Sequence, residues 1–435
     1  MHNTSRRTAR RLLAVPAMAL AAAAGRAQSA APPAATRLGD VYREADSASP
    51  RARAARALTA AAQARVPGVK RPPDPQLQFG WMNYVLPGFA PSDPLSMLQL
   101  QVMQTIPVAG QLGLAGDVAA AQASAQADRA ADVQWEHRGT VAMAFYDLYR
   151  TDHSLAVARE TLALLDEMRR TAESMYRVGE GRQADVLRAQ VELARMVEDT
   201  IRMTTMRSAM AARLNALLDR AVTAPVAPPA LPAFPDSLLP LDTLIAVAER
   251  GRPMVKAGES DVSAAEAQVT LAHRAIWPDV TIGLQYGRTP VNDQHMGSIM
   301  IGATLPIFAA SRQLKMRDEA EAMRRMADAD LSAMRADTRA RVAESYATLV
   351  RARDLMALYH DTVLPQAEAT VQSALAAYRV GSVDFATLLD DRMTVNKFRQ
   401  DLAALEAEQG TAWADLEMLT GRVLFDADRA AGGAR

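Results

Sequence analysis

The side chains that most often carry chemistry are sparse in this sequence. No two of the six histidines stand four residues apart, and no His-Glu-x-x-His occurs, so the spacing of a helical zinc site is missing. No Gly-x-Ser-x-Gly occurs, and the run Gly110, Gly113 and Gly116 lacks the lysine of a phosphate-binding loop. The sequence therefore predicts neither an enzyme nor a bound metal or cofactor.

Methionine, whose side chain can bind soft metal ions, is abundant, with 22 copies. Clusters lie at Met203/Met206/Met210 and Met323/Met326. Thioethers are soft metal ligands, but at helical spacing they more often fill gaps in an apolar core. We expect the core role, with heavy-metal handling as the alternative.

Charge and cysteine content exclude several other classes. The 435 residues carry 49 Lys+Arg and 49 Asp+Glu, a balance that offers no electrostatic reason for a nucleic-acid partner. The absence of Cys excludes disulfides and thiolate metal sites. Aromatic residues make up only 5% and Ala is abundant, a composition that favours long, closely packed helices.

The first 29 residues resemble a secretory signal. A basic group at Arg6, Arg7, Arg10 and Arg11 precedes an apolar stretch over residues 12–24, which is too short to span a bilayer as a helix. Small residues follow, and cleavage is expected after Ala27 or Ser29. No later segment reaches eighteen uninterrupted apolar residues, so we expect no transmembrane helix in the mature chain.

The sequence is internally duplicated. Residues 176–179 (Tyr-Arg-Val-Gly) recur 202 positions later as residues 378–381, and Thr-Ile-Pro at 105–107 matches Thr-Leu-Pro at 304–306. These collinear matches predict two equivalent repeats, at 38–220 and 241–422, followed by a tail at 423–435. The segment 221–240 between the repeats holds six prolines and is expected to form a linker that is not helical.

Each repeat begins with a helix, about Pro50–Arg65 and Pro253–Ala275, followed by a strand pair, at about 75–107 and 279–307. Leu77, Phe79 and Trp81 alternate with polar or small residues, and so do Val280, Ile282 and Leu284. A period of two with one apolar and one polar face fits the wall of a membrane barrel, and it equally fits a soluble sheet with one wet face.

Each strand pair leads into a long helical stretch, Gly110–Tyr176 and Ala310–Tyr378, interrupted only by Pro365. Such a helix extends about 100 Å. The apolar stripe is narrow, with Val141, Phe145 and Leu148 at spacings of three and four, which predicts coiled-coil packing. After a glycine turn a second helix returns, about Ala184–Arg220 and Phe385–Arg422.

The strands cannot close a membrane barrel within one chain. About eight strands are the smallest number that closes, and an open sheet in lipid would leave unpaired edges. If these are membrane strands, the chain must oligomerise, and three copies would give twelve strands. The predicted fold is mainly α with a small β part: long coiled-coil helices joined to four membrane strands.

These residues resemble the TolC-like outer-membrane efflux protein family. The resemblance covers about Leu38 to Arg422, and its most specific marks are the two Tyr-x-Val-Gly turns, each followed by a helix start that carries Asp185 or Thr387. It implies a homotrimer with a twelve-stranded outer-membrane β-barrel, joined to a periplasmic α-barrel. It also implies that the turns at Val178-Gly179 and Val380-Gly381 dock a periplasmic membrane-fusion adaptor.

The resemblance also implies a pore gate on the helix that follows the second turn. Family members carry two acidic positions there. Here the first is Thr387, and only the second, Asp390, is acidic, with Asp391 beside it. We expect Asp390 to form the chief constriction, adjoined by Asp391 or Tyr378, and Asp185 to cap its helix.

The predicted function is therefore that of an outer-membrane exit channel extending into the periplasm. It would act passively in a tripartite efflux pump or a type I secretion system. Its partners would be two further copies, the adaptor, an inner-membrane pump and outer-membrane lipid, with no nucleic acid. The alternative is a secreted periplasmic coiled-coil scaffold. The cargo stays open.

Overall fold

The computed structural model describes residues 35–428, except 89, 92 and 292. The predicted signal at 1–29 and the last part of the predicted tail, 429–435, lie outside the described residues. None of the described helices is both long enough and apolar enough to cross a membrane.

The first repeat alternates short helices, a strand pair and a helical hairpin. Its elements are β1 (Thr36–Arg37), α1 (Leu38–Ala48), α2 (Pro50–Val69), β2 (Gln76–Met82), β3 (Met97–Ile106), α3 (Gln111–Arg177) and α4 (Gln183–Leu217). The two-residue strand β4 (Pro229–Ala230) lies in the proline-rich linker and pairs in parallel with β1.

The second repeat has the same order of elements. They are α5 (Leu241–Gly251), α6 (Pro253–Arg274), β5 (Asp279–Thr289), β6 (Gln294–Thr304), α7 (Gln313–Leu358), a π-helical turn (Tyr359–Val363), α8 (Leu364–Arg379) and α9 (Phe385–Thr420). The long stretch Gln313–Arg379 begins and ends 202 residues after α3, as the duplication predicts. The mainly helical fold is confirmed. The short helices α1 and α5 were not predicted, because each is an 11-residue element outside the recognised motifs.

The two repeats start their second helix in different ways. Both α2 and α6 begin with proline, whose fixed φ suits the first helical position. In the first repeat the Ala52 N–H donates to Oγ of the preceding Ser49 at 3.2 Å. Arg252 occupies the equivalent position in the second repeat, and there the buried Asp132 of α3 accepts the Met254 N–H at 3.2 Å. A carboxylate from a distant helix thus replaces the local cap.

The strand pairs of the two repeats join into one antiparallel sheet, ordered β2-β3-β5-β6. The register places Leu77, Val102, Leu284 and Ile299 in one row across all four strands. The adjacent row, on the other face, contains Gln78, Gln101, Gln285 and Ser298. The sheet therefore has an apolar face and a polar face. Among the described residues, β2 and β6 have no second neighbouring strand of comparable length.

An apolar core lies where the short helices, the linker and the ends of the long helices meet. Phe145, Leu148 and Leu214 are fully buried there. Phe234 of the linker stacks on Trp413 of α9, with ring centroids 6.4 Å apart, and contacts Phe425 at 5.3 Å. The linker and the segment after α9 thus close over the long helices.

The two hairpins share a second core toward their turns. It contains buried residues of α3, α4, α8 and α9, among them Leu165, Ala189, Val371 and Phe385. Since one apolar cluster joins both hairpins, their turns lie at the same end of the helices.

Three methionines of the two clusters depart from the expected core role, whereas Met203 and Met210 pack against the apolar cores. Met206, Met323 and Met326 have about half of their surface exposed. The core prediction is therefore wrong for these three residues, because neighbouring helices cover only part of each side chain.

Candidate functional site at the turns of the two hairpins

The first hairpin reverses at Val178 and Gly179. α3 ends at Arg177, and Gly179 has φ +83°, a left-handed conformation that glycine adopts without steric cost. The N–H groups of Glu180 and Gly181 both donate to the Met175 carbonyl, at 2.9 and 3.0 Å. These bonds give the Met175 carbonyl, in the last turn of α3, hydrogen-bond partners before α4 begins.

The second hairpin reverses at Val380 and Gly381, with φ +75° at the glycine. The Ser382 N–H and Oγ both donate to the Ala377 carbonyl, each at 3.0 Å. Asp384 then caps α9, accepting the Thr387 N–H at 2.9 Å and its hydroxyl at 2.7 Å. Sequence reasoning missed this cap, although an Asp at the first position of a helix start was a signal for it.

The caps correct the expectation for Asp185. The residue at the cap position of α4 is Arg182, whose side chain makes no capping bond, and Asp185 lies in the first turn. Its carboxylate can still interact favourably with the helix dipole, but it is not the cap.

Both turns present valine to the surroundings. Val178 is 68% exposed and Val380 is 79% exposed. Each turn therefore carries one exposed apolar side chain next to its glycine. The predicted docking residues are therefore brought to one end, with their side chains accessible.

The predicted gate residues divide into two groups. Asp390 and Thr387 are exposed on α9, and Asp391 is half-buried. Tyr378 is 5% exposed, and its ring packs edge-on against Phe385 with centroids 5.7 Å apart. Burial, and secondly the Asp185 carboxylate, raises the pKa of Tyr378. Tyr378 of α8 thus lies in the core shared by the hairpins, whereas Asp390 of α9 is exposed to the surroundings. Burial of the aromatic ring stabilises this packing.

Four charged residues on α3, α8 and α9 form an ion-pair network that the sequence analysis did not predict. Arg399 of α9 contacts Glu160 of α3 at 3.0 Å and Glu368 of α8 at 2.7 Å. Arg392 lies 3.5 Å from the same Glu160, and burial, together with nearby Arg399, lowers the pKa of Arg392. The spacing of seven between the two arginines, which places them on one face of α9, was the available signal.

The described chain has the fold of outer-membrane channels of known structure. It is similar to the outer-membrane channel OprN at 19% identity and a TM-score of 0.75, covering 88% of this chain and 89% of that one. VceC, an outer-membrane protein of Vibrio cholerae, matches at 17% identity and 0.75, covering 89% and 97%. The Neisseria gonorrhoeae MtrE channel, in its open state, matches at 16% and 0.74, covering 89% of each chain.

The sequence itself matches the outer membrane efflux protein family over residues 244–422, nearly the whole second repeat. No protein of curated function matches the chain by sequence. The predicted resemblance to the TolC-like outer-membrane efflux proteins is confirmed in the sequence of the second repeat and in the fold.

Proposed function

We propose that this protein is the outer-membrane exit channel of a tripartite efflux pump or type I secretion system. It would be a passive conduit that spans the outer membrane and extends into the periplasm. The family match and the channel fold support this proposal.

The two-faced sheet is the observation that carries the proposal. Its apolar row is open to the surroundings, with Leu77 68% exposed and Ile299 75% exposed. In water such a row would be costly, at about 25 cal/mol for each Å² of apolar surface. In a barrel wall it faces lipid, and the glutamine row faces water. The 2.8 Å bond from Gln285 to Gln99 fits a wet lumen lined by amides.

The open edges of the sheet support assembly from several copies. A membrane strand must satisfy its backbone groups within the protein, so β2 and β6 need partners. Three copies would close twelve strands, with the repeats 38–220 and 241–422 each contributing a strand pair and a hairpin. In this proposal residues 1–29 form the signal, 221–240 the linker around the helices, and 423–435 the tail.

The turns and α9 have separate roles in this assembly. Val178, Gly179, Val380 and Gly381 would dock the periplasmic adaptor, which connects the channel to an inner-membrane pump. Asp390 would face the pore with Asp391 and Thr387 nearby. Tyr378 would hold the start of α9 through Phe385.

Adjacent positions on β5 provide a matched test. Leu284→Lys places a charge in the apolar row, and Gln285→Lys places the same charge in the polar row. A lysine facing lipid near the bilayer midplane costs about 2–4 kcal/mol. We therefore expect Leu284→Lys to deplete outer-membrane trimers in fractionation and detergent mass measurement, and Gln285→Lys to leave them unchanged.

The scaffold alternative predicts a different result. A periplasmic scaffold would be soluble without detergent, and both lysine variants would behave alike. A monodisperse monomer in buffer without detergent would contradict the channel proposal.

A further inference from the structure

A long groove lies between α3, α6 and α7, near the helix ends that adjoin the sheet. It has a volume of about 1210 Å³ and is lined by parts of residues 107–129, 258–275 and 316–334. Most of its lining consists of alanine, leucine and methionine, with a few charged side chains. An apolar concave surface with a few polar groups is the usual form of a ligand site.

Methionine forms one wall of this groove. Met316, Met323 and Met326 of α7 line it, and they are 48%, 51% and 50% exposed. Their side chains can therefore contact a ligand. Flexible, polarisable methionine surfaces adapt to apolar partners of different shapes. We call this site the methionine groove.

The charges of the methionine groove are unbalanced. Arg129 and Asp261 line it and form an ion pair with each other. Glu319 and Asp330 also line it, and both are exposed. Neither has an ion-pair partner among the described residues. Two carboxylates next to an apolar wall favour a ligand that combines an apolar body with positive charge.

We propose that the methionine groove binds lipophilic organic cations. The apolar body of the ligand lies on Met323, Met326 and the alanines opposite, and its charge lies near Glu319 or near Asp330, which are about 16 Å apart along α7. As an account of cargo this rests on the proposed channel function. The binding itself is a property of the purified protein and is measured without a pump.

Dye binding tests the charge requirement. Rhodamine 6G, a lipophilic cation, is titrated onto the detergent-purified protein and followed by fluorescence polarisation. We expect Glu319→Gln/Asp330→Asn to weaken binding about fivefold, as the loss of exposed charge interactions implies. The control pair, Asp354→Asn/Asp361→Asn, removes the same charge from α7 and the π-helical turn outside the groove and should have no effect. Equal weakening by both pairs, or equally tight binding of anionic fluorescein, would overturn the proposal.

Cysteine labelling tests the location. The chain has no native Cys, so Met323→Cys provides a single thiol in the groove, and Met206→Cys provides a matched thiol on α4. We expect maleimide to label both, and rhodamine 6G to slow labelling only at position 323. If position 323 is unlabelled in the assembled protein, a second copy covers the groove and the proposal fails.

A filling variant adds a third measurement. Ala327 lines the groove, and Ala327→Trp should abolish dye binding by occupying the space. If Ala327→Trp is not assembled, the carboxylate pair still decides the question. Single-channel recording of the same preparations separates the two proposals. A channel that conducts but does not bind the dye contradicts only the groove proposal.

Discussion

At the residue scale, a buried carboxylate holds the segment that follows α9. Glu417 is 3% exposed and accepts the N–H groups of Leu424 at 2.7 Å and Phe425 at 3.4 Å. Phe425 in turn packs against Trp413 and Phe234, so one side chain fixes the contact between this segment and the linker. Burial raises the pKa of Glu417 to about 7.

The raised pKa predicts a pH-dependent stability. The folded protein holds the Glu417 proton more tightly than the unfolded chain does. The contribution of Glu417 to the stability of the fold is therefore fully present below pH 4.5, the pKa of the carboxyl in the unfolded chain. It is lost as pH rises through about 7. We expect Glu417→Gln, which keeps an oxygen that accepts the two N–H groups, to remove this loss. Between pH 4.5 and 8, the free energy of unfolding of the wild type should fall by about 3 kcal/mol more than that of the variant.

The measurement is denaturant unfolding followed by tryptophan fluorescence at several pH values. Glu266→Gln, on the exposed side of α6, is the control and should keep the wild-type pH profile. Parallel profiles for wild type and Glu417→Gln would show that this carboxylate does not control the pH dependence.

At the element scale, the two hairpins are nearly equal in length but differ in detail. α3 is continuous, whereas its counterpart contains a π-helical turn at Tyr359–Val363, just before Pro365. Proline lacks an N–H and its ring needs space in the preceding turn, which the wider π geometry supplies. The hairpins also end differently, because only α9 of the pair has a side-chain cap. Nevertheless both turns expose a valine.

The exposed valines allow docking to be tested without straining the glycines. Any side chain at Gly179 or Gly381 would be forced into positive φ, whereas Val178 and Val380 are exposed outside that conformation. We expect Val178→Asp/Val380→Asp to lower efflux about tenfold or more, since charge at an apolar contact opposes docking. Trimers should stay intact in the membrane.

Val222→Asp is the matched control. Val222 is 58% exposed and lies after the opposite end of α4. The Val222→Asp variant should export cargo normally in the same drug-susceptibility or secretion assay. Normal export by the double variant would remove the docking role from the turns.

At the scale of the whole molecule, duplication places equivalent helices in unequal surroundings. α9 packs against α3, α7 and α8, whereas α4 packs mainly against α3. The position that holds Asp390 in the second repeat holds Arg188 in the first. Threefold assembly would multiply this difference, since three copies of one exposed carboxylate would meet only if α9 lines the axis.

Ion selectivity tests which helix lines the pore. If α9 lines the axis, three Asp390 side chains would converge there and attract cations. We expect Asp390→Ala to weaken cation selectivity and block by multivalent cations in planar-bilayer recordings. Asp185→Ala, which removes the same charge from α4, should do less. A larger effect from Asp185→Ala would assign the pore to the first repeat.

The sequence by itself determined the repeats, the glycine turns and the alternation of the strands. These features depend on local rules: a glycine for positive φ, a period of two for a two-faced strand, and a narrow stripe for paired helices. The long helices therefore begin and end 202 residues apart in the two repeats, and Leu77, Phe79 and Trp81 share one face of β2.

Only the tertiary structure decided how the repeats combine. The pairing of Val102 with Leu284, the capping of α6 by Asp132 and the burial of Tyr378 against Phe385 all depend on packing that no local pattern specifies. The methionine groove requires three helices from both repeats, so the exposure of Met323 could not be read from its spacing. A methionine stripe has the same pattern whether or not a neighbouring helix covers it, and coverage is set by contacts between residues far apart in the chain.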